Sequence, residues 1–190
     1  MNKKFTPRLT IALLLLAFSP VLLASSYRVE VLVFAHKQPS TEIFTQTRST
    51  LKPPAQSAEI GSSNDSGEIA LAEEPLSGLN EAYQKLSQQA NYEILLKKAW
   101  VQTITADQPT PAAHIQNAEL TMNGYVSLIT NGAMTMQVDV EYMSTRDSRN
   151  QQDYATPIIY RLNEKRPLKF NESHYFDHPV IGVILLVTPL

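Results

Sequence analysis

The 190 residues predict a single α+β domain: a mostly antiparallel sheet of five to seven strands with at least one helix packed on one face. Three observations lead there. Apolar residues alternate with polar ones, with period two, over most of the chain that has any pattern. One stretch, Leu79-Ala82-Tyr83-Leu86-Ala90, repeats instead at helical spacing. The aliphatic run Val180 to Val187, broken only by Gly182, reads as a strand covered on both faces. It is taken as the central strand, with His174 to Pro179 as the polar shoulder leading into it.

The chain begins with Lys3, Lys4 and Arg8 ahead of an apolar run from Leu9 to Leu23, followed by the small residues Ala24, Ser25 and Ser26. This is the three-part layout of a secretory signal peptide, spanning 1–24 with cleavage between 24 and 26. A membrane anchor is the competing reading, but fifteen residues interrupted by Ser19 and Pro20 are short for one, and no anchor is expected after cleavage. The sequence has no cysteine, so neither a thioether-linked lipid nor a disulfide is available to it. Without residues 1–24 the chain has 13 basic and 18 acidic groups, a net charge of −5. That balance gives no general attraction to nucleic acid or to an anionic membrane. Residues 27–190 are enough for one domain with a real core.

Tyr27 to Ala35 opens the sheet, with Tyr27, Val29, Val31 and Val33 on one face and Leu32 and Phe34 on the other. Residues 37–77 hold Pro39, Pro53, Pro54 and Pro75, many Ser and Thr, and acids that include Glu59, Asp65, Glu68, Glu73 and Glu74, without a periodic apolar face. They read as a flexible acidic insert. Inside it Ser49-Thr50-Leu51-Lys52 spells the S-x-x-K of penicillin-recognising enzymes, but Pro53 and Pro54 follow at once and no K-T-G strand exists, so it is read as chance. The helix over Leu79 to Ala90 has Ser77 or Asn80 to cap it and Asn91 for a left-handed stop. Tyr92, Ile94, Leu96 and Trp100 then share a strand face, and Ala106 to Asn117, with the lone His114, reads as a loop.

A hairpin follows. Leu120, Met122, Val126 and Leu128 lead to Thr130-Asn131-Gly132, and Met134, Met136, Val138, Val140 and Tyr142 return. A two-residue Asn-Gly turn would throw the two apolar sets onto opposite faces. Burial of nine apolar side chains, roughly 1.5–3 kcal/mol each, outweighs that turn preference. The expectation is a three-residue loop with Gly132 left-handed, pairing Leu128 with Met134 and Val126 with Met136. Ile158, Tyr160 and Leu162 start another strand, Glu164-Lys165 turns, and Leu168 and Phe170 lead on.

Two sets of polar residues have the composition of a reactive site. His174, Asp177 and His178 form H-x-x-D-H, a metal-ligand pattern if helical. Pro179 opposes helix at His178, and in a strand the two histidines stand about 13 Å apart at ~3.3 Å per residue, too far for one ion. The preferred reading is that these residues fix a turn before the aliphatic strand, so neither metal nor cofactor is expected. Asp139 and Glu141 lie two apart on one strand, roughly 7 Å, within range of paired glycosidase carboxylates. On an open face they read as solvated surface. No enzyme is expected. Tyr160, Arg161, Lys165, Arg166, Lys169 and Phe170 are the only basic-aromatic cluster and hence the ligand-binding candidates.

H-Y-F-D-H-P-V-I-G-V (174–183) resembles the signature of the CsiV family of periplasmic peptidoglycan-binding proteins of Gram-negative bacteria. The exported start with Y-R-V-E-V-L-V-F (27–34), I-L-L-K-K-A-W-V-Q (94–102), the Gly124-centred hairpin and K-R-P-L-K (165–169) fit the same pattern. One departure is A-M-T-M-Q-V-D-V (133–140), where the family more often carries a Tyr-Leu-His run. In the signature, His174, Tyr175, Asp177, His178, Pro179 and Gly182 are read as structural. The resemblance implies a periplasmic, non-enzymatic binder of peptidoglycan that supports septal and side-wall synthesis. Its implied partners are the class A penicillin-binding proteins and their outer-membrane lipoprotein activator. The alternative is an adaptor that touches only proteins of the synthesis complex, which the long acidic segment 37–77 suggests.

Overall fold

The computed structural model describes residues 24–37, 51–61, 69–74, 76–105, 108–144 and 158–190. They form ten strands and one helix: β1 Ala24–His36, β2 Ser57–Glu59, β3 Ile69–Leu71, α1 Asn80–Ser87, β4 Tyr92–Thr105, β5 Ala112–Gln116, β6 Met122–Asn131, β7 Ala133–Ser144, β8 Ile158–Pro167, β9 Ser173–Asp177 and β10 Ile181–Pro189. Two five-stranded sheets result, ordered β3-β4-β1-β10-β9 and β2-β5-β6-β7-β8. The expected α+β class with one sheet of five to seven strands is therefore corrected to an all-β pair of sheets carrying one short helix.

The two sheets share one core. Val29, Val31 and Val33 of β1, Trp100 of β4 and Val183, Leu185 and Val187 of β10 meet Ile115, Val126, Leu128, Met136, Val138 and Leu162 from the other sheet. Along β1 the alternation falls as read, with Leu32 on the outer face against Leu79, Leu186 and the helix residues Ala82, Tyr83 and Leu86. The helix does lie on a sheet face. Strand β10 is covered on both sides but is fourth of five; β1 occupies the middle.

Several local expectations are corrected. Of the insert expected at 37–77, residues 38–50, 62–68 and 75 lie outside the described residues, while the described part supplies two edge strands: β2 pairs parallel with β5, β3 antiparallel with β4, and Ala58 and Ile69 enter the core. Three-residue strands with one inward side chain each have no periodicity to read. The loop expected at 106–117 contains β5, whose Ala113 and Ile115 are buried. Glu164-Lys165 does not turn; it continues β8 opposite Val138 and Gln137. Charged residues suit β8 because it is an edge, where they discourage pairing with another chain.

The face read for β4 also divides. Val33 pairs with Leu96 but Phe34 with Ile94, so Leu95 is an extra residue. This bulge turns Ile94 and Tyr92 to the outer face while Leu96 and Trp100 stay inward. In the β6–β7 hairpin the expected three-residue loop is not formed: Thr130 pairs with Met134 and Asn131 with Ala133, leaving only Gly132, left-handed as expected at φ 78, between the strands. The register is two residues from the expected one: Leu128 faces Met136 and Val126 faces Val138. Both registers keep the apolar set on one face, so burial does not choose between them. Leu120, read as part of the strand, lies in the preceding turn with φ 57.

Candidate functional site

Strand alternation splits the basic-aromatic cluster between two faces of β8. Tyr160 packs on the core, with the His178 ring 5.9 Å away. Arg161 points outward into a two-bond ion pair with Asp139, at 2.8 and 2.7 Å. Lys165 is exposed on that outer face. Arg166 turns inward, pairs with Glu164, donates to the Tyr175 carbonyl at 2.8 Å and lies 5.0 Å above the Phe176 ring. It links the edge strands β8 and β9 of the two sheets. Lys169 forms an exposed pair with Glu172 at 3.5 Å, and Phe170 stacks on Tyr27 at 5.3 Å. The six residues are not brought together as one surface.

The terminal signature builds a hairpin and an aromatic row. His178 and Ile181 exchange backbone hydrogen bonds at 3.1 and 3.2 Å, closing the turn over Pro179 and Val180. His178 Nδ1 accepts the Val180 N–H, while His174 Nε2 lies 2.9 Å from the Lys169 carbonyl. The two histidines thus face different neighbours, and among the described residues no group of three His, Asp or Glu is placed to hold a metal. Phe176 enters the core. Tyr175 lies on the outer face, stacked on Phe34 at 6.1 Å, and donates to Asp177 at 2.6 Å. Burial, and then the Asp177 hydrogen bond, push its phenol well above the usual range. Phe34 in turn meets the edge of Tyr92 at 5.3 Å. Gly182 lies beneath Phe34, where any Cβ would overlap the ring.

The outer face of the second sheet carries an open groove of about 620 Å³. Its floor is made by the cross-strand pairs Tyr125–Asp139 and Ser127–Gln137, with Ile129 beyond them. One wall is Pro54-Ala55-Gln56, tied down where the Ala112 N–H donates to the Gln56 carbonyl at 3.0 Å. Pro109 and Thr110, leading into β5, line the groove as well. The Thr110 hydroxyl is buried with no partner among the described residues. Gln137 donates to Asn163 at 3.1 Å.

Beside the floor, the His114 ring stacks on Tyr125 at 5.1 Å and bridges Glu59 and Asn123. Tyr125 is buried, and burial first, then the Glu59 charge, raises its phenol above the ordinary value. Asp139 and Glu141, expected as solvated surface, are both engaged. Glu141 is only 7 % exposed and accepts the Leu51 N–H at 2.9 Å. Of the S-x-x-K stretch, Ser49 and Thr50 lie outside the described residues. Sequence reasoning missed this groove because its walls fall in the two stretches read as insert and loop. The alternation Ala113-His114-Ile115-Gln116 was the available signal for β5.

Comparison with curated proteins and with solved structures returned no match. A family model described as "Peptidoglycan-binding protein, CsiV" matches residues 8–190, and the chain therefore belongs to the CsiV family.

Proposed function

We propose that the protein is a non-enzymatic binder of the peptidoglycan wall, exported to the periplasm, where it supports synthesis by class A penicillin-binding proteins and their outer-membrane lipoprotein activator. Membership of a family described as peptidoglycan-binding carries this reading. Residues 1–24 have the layout of an export signal. The groove offers a concave surface lined by polar and apolar side chains, as recognition of a wall fragment requires. The paired carboxylates that suggested hydrolysis are committed elsewhere, Asp139 to Arg161 and Glu141 to the Leu51 amide. With a net charge of −5 on the exported chain, attraction to the wall is local and not a property of the overall field. The protein partners rest on the resemblance of the terminal motif.

Purified protein mixed with isolated sacculi is expected to sediment with them. Protein left in the supernatant at both low and moderate salt overturns direct wall binding. Immobilised protein is expected to retain a class A penicillin-binding protein and its activator from a membrane extract. Loss of that retention with sacculus binding intact removes the partners and leaves a wall binder.

A further inference from the structure

We infer that the groove on the second sheet is a glycan subsite, taking the neutral N-acetylated amino-sugar units of the wall and not its charged stem peptides. The inference rests on the wall-binding reading above and deepens it. The ionic state of the lining is the argument. Among the described residues, Asp139 is the one charged side chain lining the groove, and both its oxygens are held by Arg161 at 2.8 and 2.7 Å. A stem-peptide ammonium would have to displace a guanidinium from that two-bond pair. A stem-peptide carboxylate would meet no lysine or arginine among the described lining residues, so its loss of water would go uncompensated. Lys165 stands opposite Gln137 on β8, outside the lining.

Neutral ligands meet the opposite situation. Ser127 and Gln137 sit side by side on the floor and offer donors and acceptors to sugar hydroxyls and to an acetamido group. The raised Tyr125 phenol stays protonated and uncharged. The unpartnered Thr110 hydroxyl adds a polar group whose hydrogen bond is unmade in the free protein, among the described residues. Ile129 supplies an apolar contact for the acetyl methyl group. A volume of about 620 Å³ falls within the range of roughly 300–1,000 Å³ typical of small-molecule sites.

The test uses purified protein and three probes: chitotetraose (an N-acetylglucosamine tetramer without peptide), a free stem tripeptide and intact sacculi. Calorimetric titration is expected to show saturable binding of chitotetraose and none of the tripeptide. Gln137→Ala and Ser127→Ala should each weaken chitotetraose binding about fivefold to tenfold, the cost of one lost hydrogen bond, with the melting temperature unchanged. Lys165→Ala should leave it as it was. Retention on sacculi without chitotetraose binding overturns the glycan assignment and leaves wall binding standing. So does preference for the tripeptide, or parental chitotetraose affinity in both variants. Failure to bind sacculi brings down the wall-binding reading and this one with it.

Discussion

Glu30 is a carboxylate at 2 % exposure in the middle of a sheet, yet it is saturated with donors. The N–H groups of Ser77, Gly78 and Leu79, the Ser77 hydroxyl and the Arg28 guanidinium all reach it, at 2.7 to 3.1 Å. Burial alone would raise its pKa. The Ser77 hydroxyl, the Leu79 N–H, Arg28 and the Gly78 N–H outweigh it and bring the value from 4.5 down to about 2. Because the folded value lies below the unfolded one, this group stabilises the fold above about pH 4.5, and that stabilisation is lost as pH falls toward 2. The difference corresponds to roughly 3 kcal/mol. Urea denaturation from pH 6 to pH 2.5 should therefore show a fall in stability that Glu30→Gln lacks; equal slopes in the two proteins would refute the assignment. Gly182 gives a second residue-level test. A methyl there overlaps Phe34, so Gly182→Ala should lose about 1–3 kcal/mol, and Phe34→Leu in the same chain should recover part of it. Additive losses in the double variant would show that the ring is not the obstacle.

Elements were legible where burial alone sets them. The alternation of β1, β6 and β7 needed only the apolar period, and it put Val29, Val31, Val126 and Val138 in the core. What could not be read were features set by distant partners. The helix was expected to cap itself with Ser77 or Asn80, but the donors leading into it end on Glu30, from a strand about fifty residues earlier. Its expected left-handed stop at Asn91 is absent among the described residues, and the chain leaves through Gln88 in a right-handed turn. The bulge at Leu95 is equally invisible, because Ile94-Leu95-Leu96 is apolar whichever face each takes. The basic-aromatic cluster failed as a unit for the reason that makes β8 a strand: consecutive residues point to opposite sides. Arg166 and Lys165 should accordingly behave differently. Arg166→Ala removes the contact with Phe176 and the bond to the Tyr175 carbonyl, and should cost about 1–2 kcal/mol with faster amide exchange across β9. Lys165→Ala should stay within about 0.5 kcal/mol. Equal losses would mean that Arg166 does not join the edges.

At the scale of the molecule, chain order and spatial order diverge. The first sheet takes β1, β9 and β10 from the two ends with β3 and β4, while the second takes β5 to β8 with β2. The sequence supplied enough strands for both sheets. The partition was lost because β2, β3 and β5 lie in stretches whose prolines and polar residues read as loop. With those three hidden, the rest fit one sheet under one helix. The core decides how the two sheets behave. Trp100, Val183 and Leu185 from one sheet pack in the same cluster as Val126, Met136 and Val138 from the other, so melting either sheet exposes the face of its partner. Unfolding should therefore be a single transition. The chain provides its own means of checking this. Trp100 is the single tryptophan, is fully buried and reports on the first sheet. Because there is no cysteine, Lys165→Cys on the exposed face of β8 gives a unique labelling position on the second. Tryptophan fluorescence and a dye at position 165 should give coincident urea midpoints and equal slopes. Separated midpoints would show that the sheets fold as independent units and that the shared cluster does not couple them.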